Sequence, residues 1–586
     1  MAGSDISDSL YVATRRAIHR LPAEILVEIF RNVQTGPMGT WKQSRKPRPW
    51  YSLLRVCKQW SNVVRSSPAL WRVIFLTGRP DVLMLKYSLT YSGDMPVDLV
   101  VDSIHNSFTT LTPLIAPHAC RIRSLQFSEL NTITDHALAS LLYHRMPQLE
   151  ELSLAFCSEG HDGKDEELEP LVPDQNEDED GEPIRFPFFW FPKADQFPRI
   201  VNLHLGRSVA FSLRFPVLPS LRHLKLRGCI VLGDLSIVDF VQYLAQHPVL
   251  ERLSLSAFNI SLADGASLRL PGTLRKLELE DYPLRIAGFL SKLAPLPADL
   301  DLRLYRRLRY VDSDPETPST TVHSLPEDRS ILPILTLVET ITVRQTWWEE
   351  YCIIGRTPTG ATIELAAYVP EDLPEPLDYL GDLRDAFGGA PVTELRVEGH
   401  EDHKLTEEQW RQALLAFPRL RKIAVTDTSA EEDSDASIAL VKALRAPDPM
   451  VDGMLLCSRL KELELAAMER ARDAGLAKEI AACLTLRKTL GVPLESLLVY
   501  LKTTWHTKKA TPDHFQKREE LYTSVIRPLI DELRFEHEPC GEAIIAEETC
   551  EDSEPASGSE STDHASDSDV SKSDEVEGTN SDAESD

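Results

Sequence analysis

Side chains that bind metals stand close together at one point of the chain, where His400 and His403 flank Glu401 and Asp402. A zinc-protease helix needs two histidines four positions apart, so that both face the metal. These two histidines are three positions apart. We therefore expect a polar loop here, followed by a helix that begins at Thr406.

Other candidates for chemistry are equally incomplete. Residues 537–540 contain one histidine and one cysteine at the border of an acidic segment, where we expect them to be solvated. Trp347 and Trp348 could form an aromatic cage, although one face of a β-hairpin is the expected place for them. The sequence has neither a glycine-rich phosphate loop before Lys-Ser or Lys-Thr nor a Gly-x-Ser-x-Gly motif. No nucleophile, base and orienting group occur together, so the sequence predicts a non-enzymatic protein without metal or cofactor.

The nine cysteines are scattered and include no Cys-x-x-Cys pair, which argues against a disulfide framework and against a zinc ribbon. Residues 1–10 are polar and acidic, unlike a secretory signal. No apolar run approaches the roughly twenty residues that span a bilayer. The expected location is therefore the cytoplasm, the nucleus or both, with no membrane partner.

The formal net charge of −28 is unevenly distributed, with acidic segments at residues 165–182, 431–435 and 551–586. The last segment contains 13 Asp or Glu, one Lys and ten Ser. Few apolar residues and strong self-repulsion predict a disordered tail, because little burial would offset the entropy of ordering. So acidic a chain is also expected not to bind nucleic acid, since duplex affinity depends largely on cations that neutralise phosphates.

Several serines of this tail are closely followed by acidic residues, which resembles the substrate preference of acidophilic casein kinases. We predict that Ser566, Ser568, Ser571 and Ser573 can be phosphorylated. Each phosphate would add about −1.5 to −2 charges and extend the tail further. An inert solubilising tail is the alternative to this regulatory interpretation.

One phrase recurs through the middle of the chain: apolar, two residues, apolar, one residue, apolar. Its clearest copies begin at Leu149, Leu221, Leu250, Leu274 and Leu460. Weaker copies cover residues 122–127, 200–205, 338–343, 392–397, 420–425 and 494–499. The alternating apolar positions that end each copy predict a short strand with one buried face.

Helical apolar stripes precede several copies, for example over residues 138–146 and 235–244, and Thr406 fits the start of a capping box. One strand and one helix per unit is similar to a leucine-rich repeat. Cys157 and Cys229 occupy the position at which that repeat has Asn or Cys. The resemblance gives both cysteines a structural role rather than a metal-binding or catalytic one.

The repeat is irregular, because successive copies begin 21 to 64 residues apart, whereas units of the family have about 20–29 residues. One region predicts consecutive strands instead, at residues 341–343, 351–354 and 362–368. The last two of these are joined across a turn that contains Gly355 and Gly360.

The N-terminal region contains three apolar motifs in succession. Leu21-Pro22 opens a helical stripe, at a position where proline is tolerated because its missing N–H would be unpaired anyway. A Val-Cys-x-x-Trp motif ends at Trp60 within a second stripe, and Pro-x-Leu-Trp occupies residues 68–71. Two or three helices this short bury little apolar surface, and a chain below about forty residues usually needs a partner or a covalent cross-link to be stable. Aromatic residues in such short helices suit an interface hot spot.

Together the three motifs resemble an F-box, a small helical docking module, over residues 16–76. In that family the module binds a Skp-type adaptor and so attaches its protein to a cullin–RING ubiquitin ligase. The resemblance implies an adaptor-binding face composed of Leu21, Pro22, Ile25, Leu26, Ile29, Phe30, Leu53, Val56, Cys57, Trp60, Leu70 and Trp71. Some of these residues belong to the core and some to the interface, and the sequence alone does not separate them.

An F-box followed by degenerate leucine-rich repeats is similar to a large family of F-box proteins of mushroom-forming fungi. Members of that family also tend to end in a phrase like residues 486–497. The implied function is recognition of an unidentified protein substrate for an SCF-type ubiquitin ligase, without catalysis by this chain. The implied α/β fold has a flexible N-terminus (1–15), a three-helix F-box (16–76), an irregular leucine-rich-repeat-like solenoid (77–535) with an acidic insert near 160–185, and a disordered acidic, serine-rich tail (536–586).

Two features leave alternatives open. The F-box-like helices could instead only cap the solenoid, since repeat proteins need polar caps, and the chain would then be a non-ligase scaffold. Residues 34–49 form a longer, more basic loop than the family leads one to expect, with Trp41 and several Lys and Arg. This loop is either a tolerated insertion, because the cost of loop closure grows slowly with length, or a change to the docking face.

Overall fold

The structure is a computed structural model in which all described residues lie within the unit Met1–Glu538. They form a mixed α/β fold with a large sheet and several helices. The structure describes residues 21–35, 52–77, 82–102, 108–130, 135–156, 192–193, 195–206, 209–231, 235–258, 260–262, 267–306, 321–345, 350–368, 379–398, 405–427, 436–447, 455–468, 473–502 and 512–538.

Several predictions fall outside the described residues. These are the flexible N-terminus at 1–15, most of the basic loop at 34–49, Cys157, the acidic insert near 160–185, Trp347 with Trp348, the group from His400 to His403, the acidic segment 431–435, and the acidic tail with its four serines from residue 539 onward. The predicted start of the disordered tail at residue 536 is wrong, because residues 536–538 belong to a strand.

Within the described residues, 17 strands form one sheet and two short strands form a separate pair. The strands are β1 (Val73–Thr77), β2 (Val97–Asp102), β3 (Ile122–Leu130), β4 (Glu151–Phe156), β5 (Asn202–Leu205), β6 (Ala210–Phe211), β7 (His223–Arg227), β8 (Ile230–Val231), β9 (Arg252–Ser256), β10 (Lys276–Asp281), β11 (Asp301–Arg306), β12 (Thr340–Gln345), β13 (Glu350–Arg356), β14 (Thr362–Tyr368), β15 (Glu394–Glu398), β16 (Lys422–Asp427), β17 (Glu462–Met468), β18 (Ser496–Lys502) and β19 (Glu532–Glu538). The separate pair is β6 with β8.

Helices alternate with these strands along most of the chain. They are α1 (Ala23–Thr35), α2 (Leu53–Val56), α3 (Lys58–Arg65), α4 (Val82–Tyr91), α5 (Phe108–Ile115), α6 (Asp135–Leu142), α7 (Ile237–Ala245), α8 (Pro283–Ser291), α9 (Tyr379–Phe387), α10 (Glu407–Ala416), α11 (Ala436–Ala443), α12 (Asp473–Thr489) and α13 (Pro512–Ile526). Short 3-10 turns occupy Pro68–Trp71, Ala116–Arg121, Thr321–Ser324, Arg329–Ile331, Pro333–Leu337 and Arg527–Leu529.

The sheet is parallel almost throughout. Its pairings give the order β1-β2-β3-β4-β5-β7-β9-β10-β11-β14-β13-β12-β15-β16-β17-β18-β19. Among the described strands of the sheet, only β13 runs antiparallel to its neighbours. Parallel neighbours need a crossover connection, which the intervening helices and turns supply.

The repeated leucines lie side by side on these parallel strands. Leu224 of β7 is in register with Leu253 of β9, which is in register with Leu277 of β10. Leu152 of β4 joins the same row through β5, and all four side chains are buried. Buried residues of the helices, such as Phe240 of α7, belong to the same core. The prediction that the phrase forms adjacent parallel strands with one buried face is confirmed.

Strands β12, β13 and β14 confirm the three consecutive strands predicted from the sequence, but one glycine has a different role. Gly360, with φ +89°, lies in the turn between β13 and β14. Gly355 lies inside β13 instead of in the turn. A Cβ atom at Gly355 would come within 2.9 Å of the Val338 side chain, so this glycine allows close packing of the strand.

The predicted capping box at the start of α10 is present. The Thr406 side chain accepts a hydrogen bond from the Gln409 backbone N–H at 3.2 Å, and the Gln409 side chain accepts one from the Thr406 N–H at 2.9 Å. We expect Thr406→Ala to lower the free energy of unfolding by about 1 kcal/mol, because one helix-terminal donor loses its partner. Urea denaturation would measure this loss. Thr406→Ser, which keeps the hydroxyl, is the matched control, and equal losses in both variants would contradict this role of the cap.

Candidate functional site

Helix α1 has a buried side and an exposed apolar side. The Leu26 N–H donates to the Pro22 carbonyl over 3.1 Å and closes the first turn directly after the proline. Leu26 and Phe30 are buried, whereas Ile25 and Ile29 are 48% and 42% exposed. Residues four positions apart lie on the same face of a helix. Ile25 and Ile29 therefore form an exposed aliphatic stripe beside the buried one.

The second helical stripe is divided at Cys57, which differs from the continuous helix expected there. Helix α2 ends at Val56, Cys57 has an extended backbone (φ −160°, ψ 167°), and α3 begins at Lys58. The Cys57 sulfur accepts a hydrogen bond from the Trp60 backbone N–H at 3.4 Å. That bond satisfies one of the free N–H groups in the first turn of α3. The cysteine thus acts as a helix cap.

A small core, separate from the core of the sheet, holds the N-terminal helices together. Trp71 is its largest buried member, and its indole N–H donates to the Val64 carbonyl at 2.8 Å. The rings of Phe30 and Trp60 pack with their centroids 5.0 Å apart. Leu70 is also buried in this cluster. Leu70 and Trp71 of the Pro-x-Leu-Trp motif are therefore structural members of the core.

The structure divides the twelve predicted docking residues into three sets. The buried set is Leu26, Phe30, Leu70 and Trp71. The half-buried set is Leu21, Leu53, Cys57 and Trp60. The exposed set is Pro22, Ile25, Ile29 and Val56. A partner can reach the exposed set, and parts of the half-buried set, without opening the small core.

The exposed set is apolar in character and has a charged border. Val56, at the end of α2, is 55% exposed, more than either isoleucine of α1. On α1 itself, Glu28 and Arg31 form an exposed ion pair at 2.8 Å beside the isoleucines. Such a pair contributes little to stability. A large apolar residue surrounded by polar ones is the usual anatomy of a surface that another protein covers.

The small core also contacts the first helix of the sheet region. The rings of Trp71 and Tyr91 lie 4.9 Å apart between centroids. Met84, also on α4, packs against the same cluster. This junction places Trp71 between the N-terminal helices and α4, on the side away from solvent.

Two of the residues considered for chemistry, Cys229 and His537, lie in the part of the chain that the structure describes. No group of three or more His, Cys, Asp or Glu among the described residues could hold a metal ion. Cys229 is buried, its thiol donates to the Leu205 carbonyl at 3.1 Å, and burial raises the pKa of the thiol to about 12. It therefore has the structural role that the repeat predicts. His537 in β19 is exposed, as expected, with 45% of its side chain accessible, and its ring stacks on Phe515 at 4.6 Å.

Of the helices that the structure describes, none has the length and apolar character needed to cross a bilayer.

Comparison with protein families identifies the N-terminal region. A family described as F-box-like matches residues 18–77, close to the predicted 16–76. The match includes α1 to α3, the turn Pro68–Trp71 and strand β1. It covers 60 of the 586 residues of the chain. The chain therefore contains an F-box-like domain at its N-terminus. A search among curated proteins gives no match to the chain.

Proposed function

We propose that this chain recognises a protein substrate for an SCF-type ubiquitin ligase. F-box domains generally bind Skp-type adaptors and are typical of non-catalytic adaptor subunits. The observation that carries the proposal is the exposed aliphatic stripe of Ile25 and Ile29 on the F-box-like domain. In this proposal the stripe, with Pro22 and Val56, contacts the adaptor. The buried members of the predicted set shape that surface from below.

In the same proposal the sheet region binds the target. We interpret this region as a degenerate leucine-rich-repeat solenoid, similar to that of fungal F-box proteins. The copies of the phrase on adjacent parallel strands support this interpretation. The chain would then promote ubiquitin transfer by proximity. It holds a target near a ubiquitin-transfer enzyme bound elsewhere and so raises the effective concentration. Its place of action would be the cytoplasm, the nucleus or both.

A scaffold function, in which the helices only cap the sheet region, is the second candidate. The contact of Trp71 with Tyr91 at 4.9 Å supports it, because it joins the small core to α4. A pure cap, however, is expected to present a polar outer face. The exposure of Ile25, Ile29 and Val56 favours docking over capping alone.

Affinity capture tests the proposal. The tagged full-length chain, expressed in eukaryotic cells, is expected to co-purify with a Skp-type adaptor and a cullin, identified by mass spectrometry. The variant with Leu21→Ala and Pro22→Ala should lose both partners, because it alters the start of α1 beside the isoleucine stripe. Absence of both partners from the wild-type capture would contradict the proposal, as would their undiminished capture by the variant.

A further inference from the structure

Three neighbouring cations on the polar face of the sheet have no ionic partner among the described residues. Side chains alternate between the two faces of a strand, so Lys225 and Arg227 of β7 and Arg252 of β9 point away from the leucine core. All three are exposed. In the part of the chain that the structure describes, none of them forms an ion pair. In a protein with a net charge of −28, this excess of positive charge is local.

Other cations of this face are neutralised in place. Arg303 pairs with Glu364 at 3.1 Å, and Arg344 pairs with Glu398 at 2.8 Å. Arg356 of β13 is exposed and also lacks an ion pair among the described residues, but its register partners are Thr340 and Thr362, so it stands alone. The cluster on β7 and β9 is therefore distinct from its surroundings.

The cations border a pocket of about 350 Å³ on the polar face of β3, β4, β5, β7, β9 and β10. Its lining includes Lys225, Arg252, His204, Ser153 and Asn202. Ser153 and His204 are hydrogen-bonded to each other at 3.0 Å across neighbouring strands. A volume of this size lies within the range of ligand-binding pockets, and polar groups in such pockets orient the ligand.

The carboxylates of the pocket are already engaged. Glu151 accepts a hydrogen bond from the Ser124 hydroxyl at 3.1 Å. Glu278 forms an ion pair with Lys276. Burial opposes ionisation of Glu278, but hydrogen bonds from Lys276 and Ser254 and the charges of Lys276 and Arg303 outweigh it and lower its pKa. Glu278 thus neutralises Lys276. Glu151 keeps its negative charge, so the lining has a formal charge of +1, from Lys225, Arg252 and Lys276 against Glu151 and Glu278. Arg227 beside the lining adds a further positive charge.

We propose that this pocket and Arg227 beside it form a binding site for an extended acidic segment of a partner protein, which supplies Glu or Asp carboxylates. Lys225 and Arg227 are two positions apart on β7, a spacing of about 6.6 Å. An extended peptide places successive same-side residues at the same spacing. Arg252 adds a cation on the neighbouring strand, in register with His223.

The arrangement favours a row of carboxylates over a single phosphate. The three cations occupy different register positions on two strands instead of surrounding one point. His223, in register between Arg252 and Asn202, adds no permanent charge, because burial and the nearby Arg252 lower its pKa. The inference rests on the proposed function only where it identifies the bound segment as part of a ligase target. The existence of the binding site does not depend on that function.

Fluorescence anisotropy with the full-length chain tests the site. The probe is a labelled nine-residue peptide with Glu at every second position and Ser between. Two comparison peptides have Gln in place of every Glu. One of them is unphosphorylated, and the other has one phosphoserine. The Glu peptide is expected to bind, the unphosphorylated Gln peptide not to bind, and binding should weaken as salt screens the charges. Lys225→Glu combined with Arg252→Glu should raise the Kd about tenfold or more, since two attractions become repulsions.

Arg356→Glu is the matched control, because it reverses an exposed cation on the same face that forms no ion pair with any described residue. It should leave the Kd unchanged. Equal binding of the Glu and Gln peptides, an unaltered Kd in the double variant, or binding of the phosphopeptide alone would overturn the inference. The double variant should still bind a Skp-type adaptor. If the wild-type chain binds the Glu peptide but no adaptor, the ligase proposal fails and this site stands. If the wild-type chain binds the adaptor but not the Glu peptide, the proposed peptide site fails and the ligase proposal stands.

Discussion

Replacing Ile25 and Ile29 together with Asp is expected to abolish binding of a Skp-type adaptor without unfolding the chain. Truncating a central interface residue can cost about 2 kcal/mol or more. Burying an unpaired carboxylate against a partner costs more still. Two such changes should therefore weaken the complex by about 4 kcal/mol or more, which is roughly a thousandfold in Kd.

The expected stability of this variant follows from the exposure of both side chains. Substitutions at exposed positions usually change the free energy of unfolding by less than about 0.5 kcal/mol. Leu284→Asp is the matched control, since Leu284 on α8 is an apolar residue that is 78% exposed outside the F-box-like domain. It should leave adaptor binding intact. A loss of binding in this control, or retained binding in the double variant, would show that the isoleucine stripe is not the docking surface.

The second large effect concerns the sheet. Leu253→Ala should lower the free energy of unfolding by about 2–5 kcal/mol, because it removes a buried side chain and leaves a cavity that the neighbouring strands fill only partly. Leu253 is buried between Leu224 and Leu277, its register partners on either side. Chemical denaturation of the full-length chain would measure the change.

Leu284→Ala makes the same chemical change at an exposed position. It should alter the free energy of unfolding by less than about 0.5 kcal/mol. Similar effects of the two substitutions would mean that Leu253 does not belong to a continuous packed core. A large loss at Leu253 alone would support the row of inward leucines along the parallel strands.

The repeated leucines were predictable because two inward residues on each short strand produce a local pattern. The strands without a clear copy of the phrase were missed. β11 begins at Asp301 and alternates Leu302 with Leu304, but Leu300 precedes them at a shorter spacing than the phrase requires. In β19, Leu533 and Phe535 do fit the phrase, but this strand overlaps the start of the predicted acidic tail. The first two strands, β1 and β2, have one buried leucine each, Leu76 and Leu99, instead of the leucine pair of the clearest copies.

The order of strands around β13 could not be predicted from local patterns. The chain passes from β11 to β12, yet β14 pairs with β11 and β12 pairs with β15. The three strands β12, β13 and β14 therefore lie in the sheet in the reverse of their order along the chain. This depends on long-range packing, since each of the three strands is locally compatible with either orientation. The break at Cys57 was missed for a similar reason, because a helical stripe continues through it.

The division of the F-box-like residues into buried and exposed sets also needed the structure. Ile25, Leu26, Ile29 and Phe30 form one wide apolar stripe in the sequence, and the positions of α3 and of the turn Pro68–Trp71 decide which half is covered. The basic pocket was missed because Lys225 and Arg252 are 27 positions apart in the sequence and become neighbours only through the pairing of β7 with β9. Unpaired charges are visible only when the partners of all nearby charges are known.

Calorimetric titration of the purified full-length chain with a purified Skp-type adaptor tests the central claim most directly. The proposed function predicts saturable one-to-one binding that the variant with Ile25→Asp and Ile29→Asp loses and the Leu284→Asp control retains. The contradicting result is an absence of binding by the folded wild-type chain, under conditions in which the same adaptor binds another F-box protein. That result would leave the N-terminal helices as a cap of the sheet region.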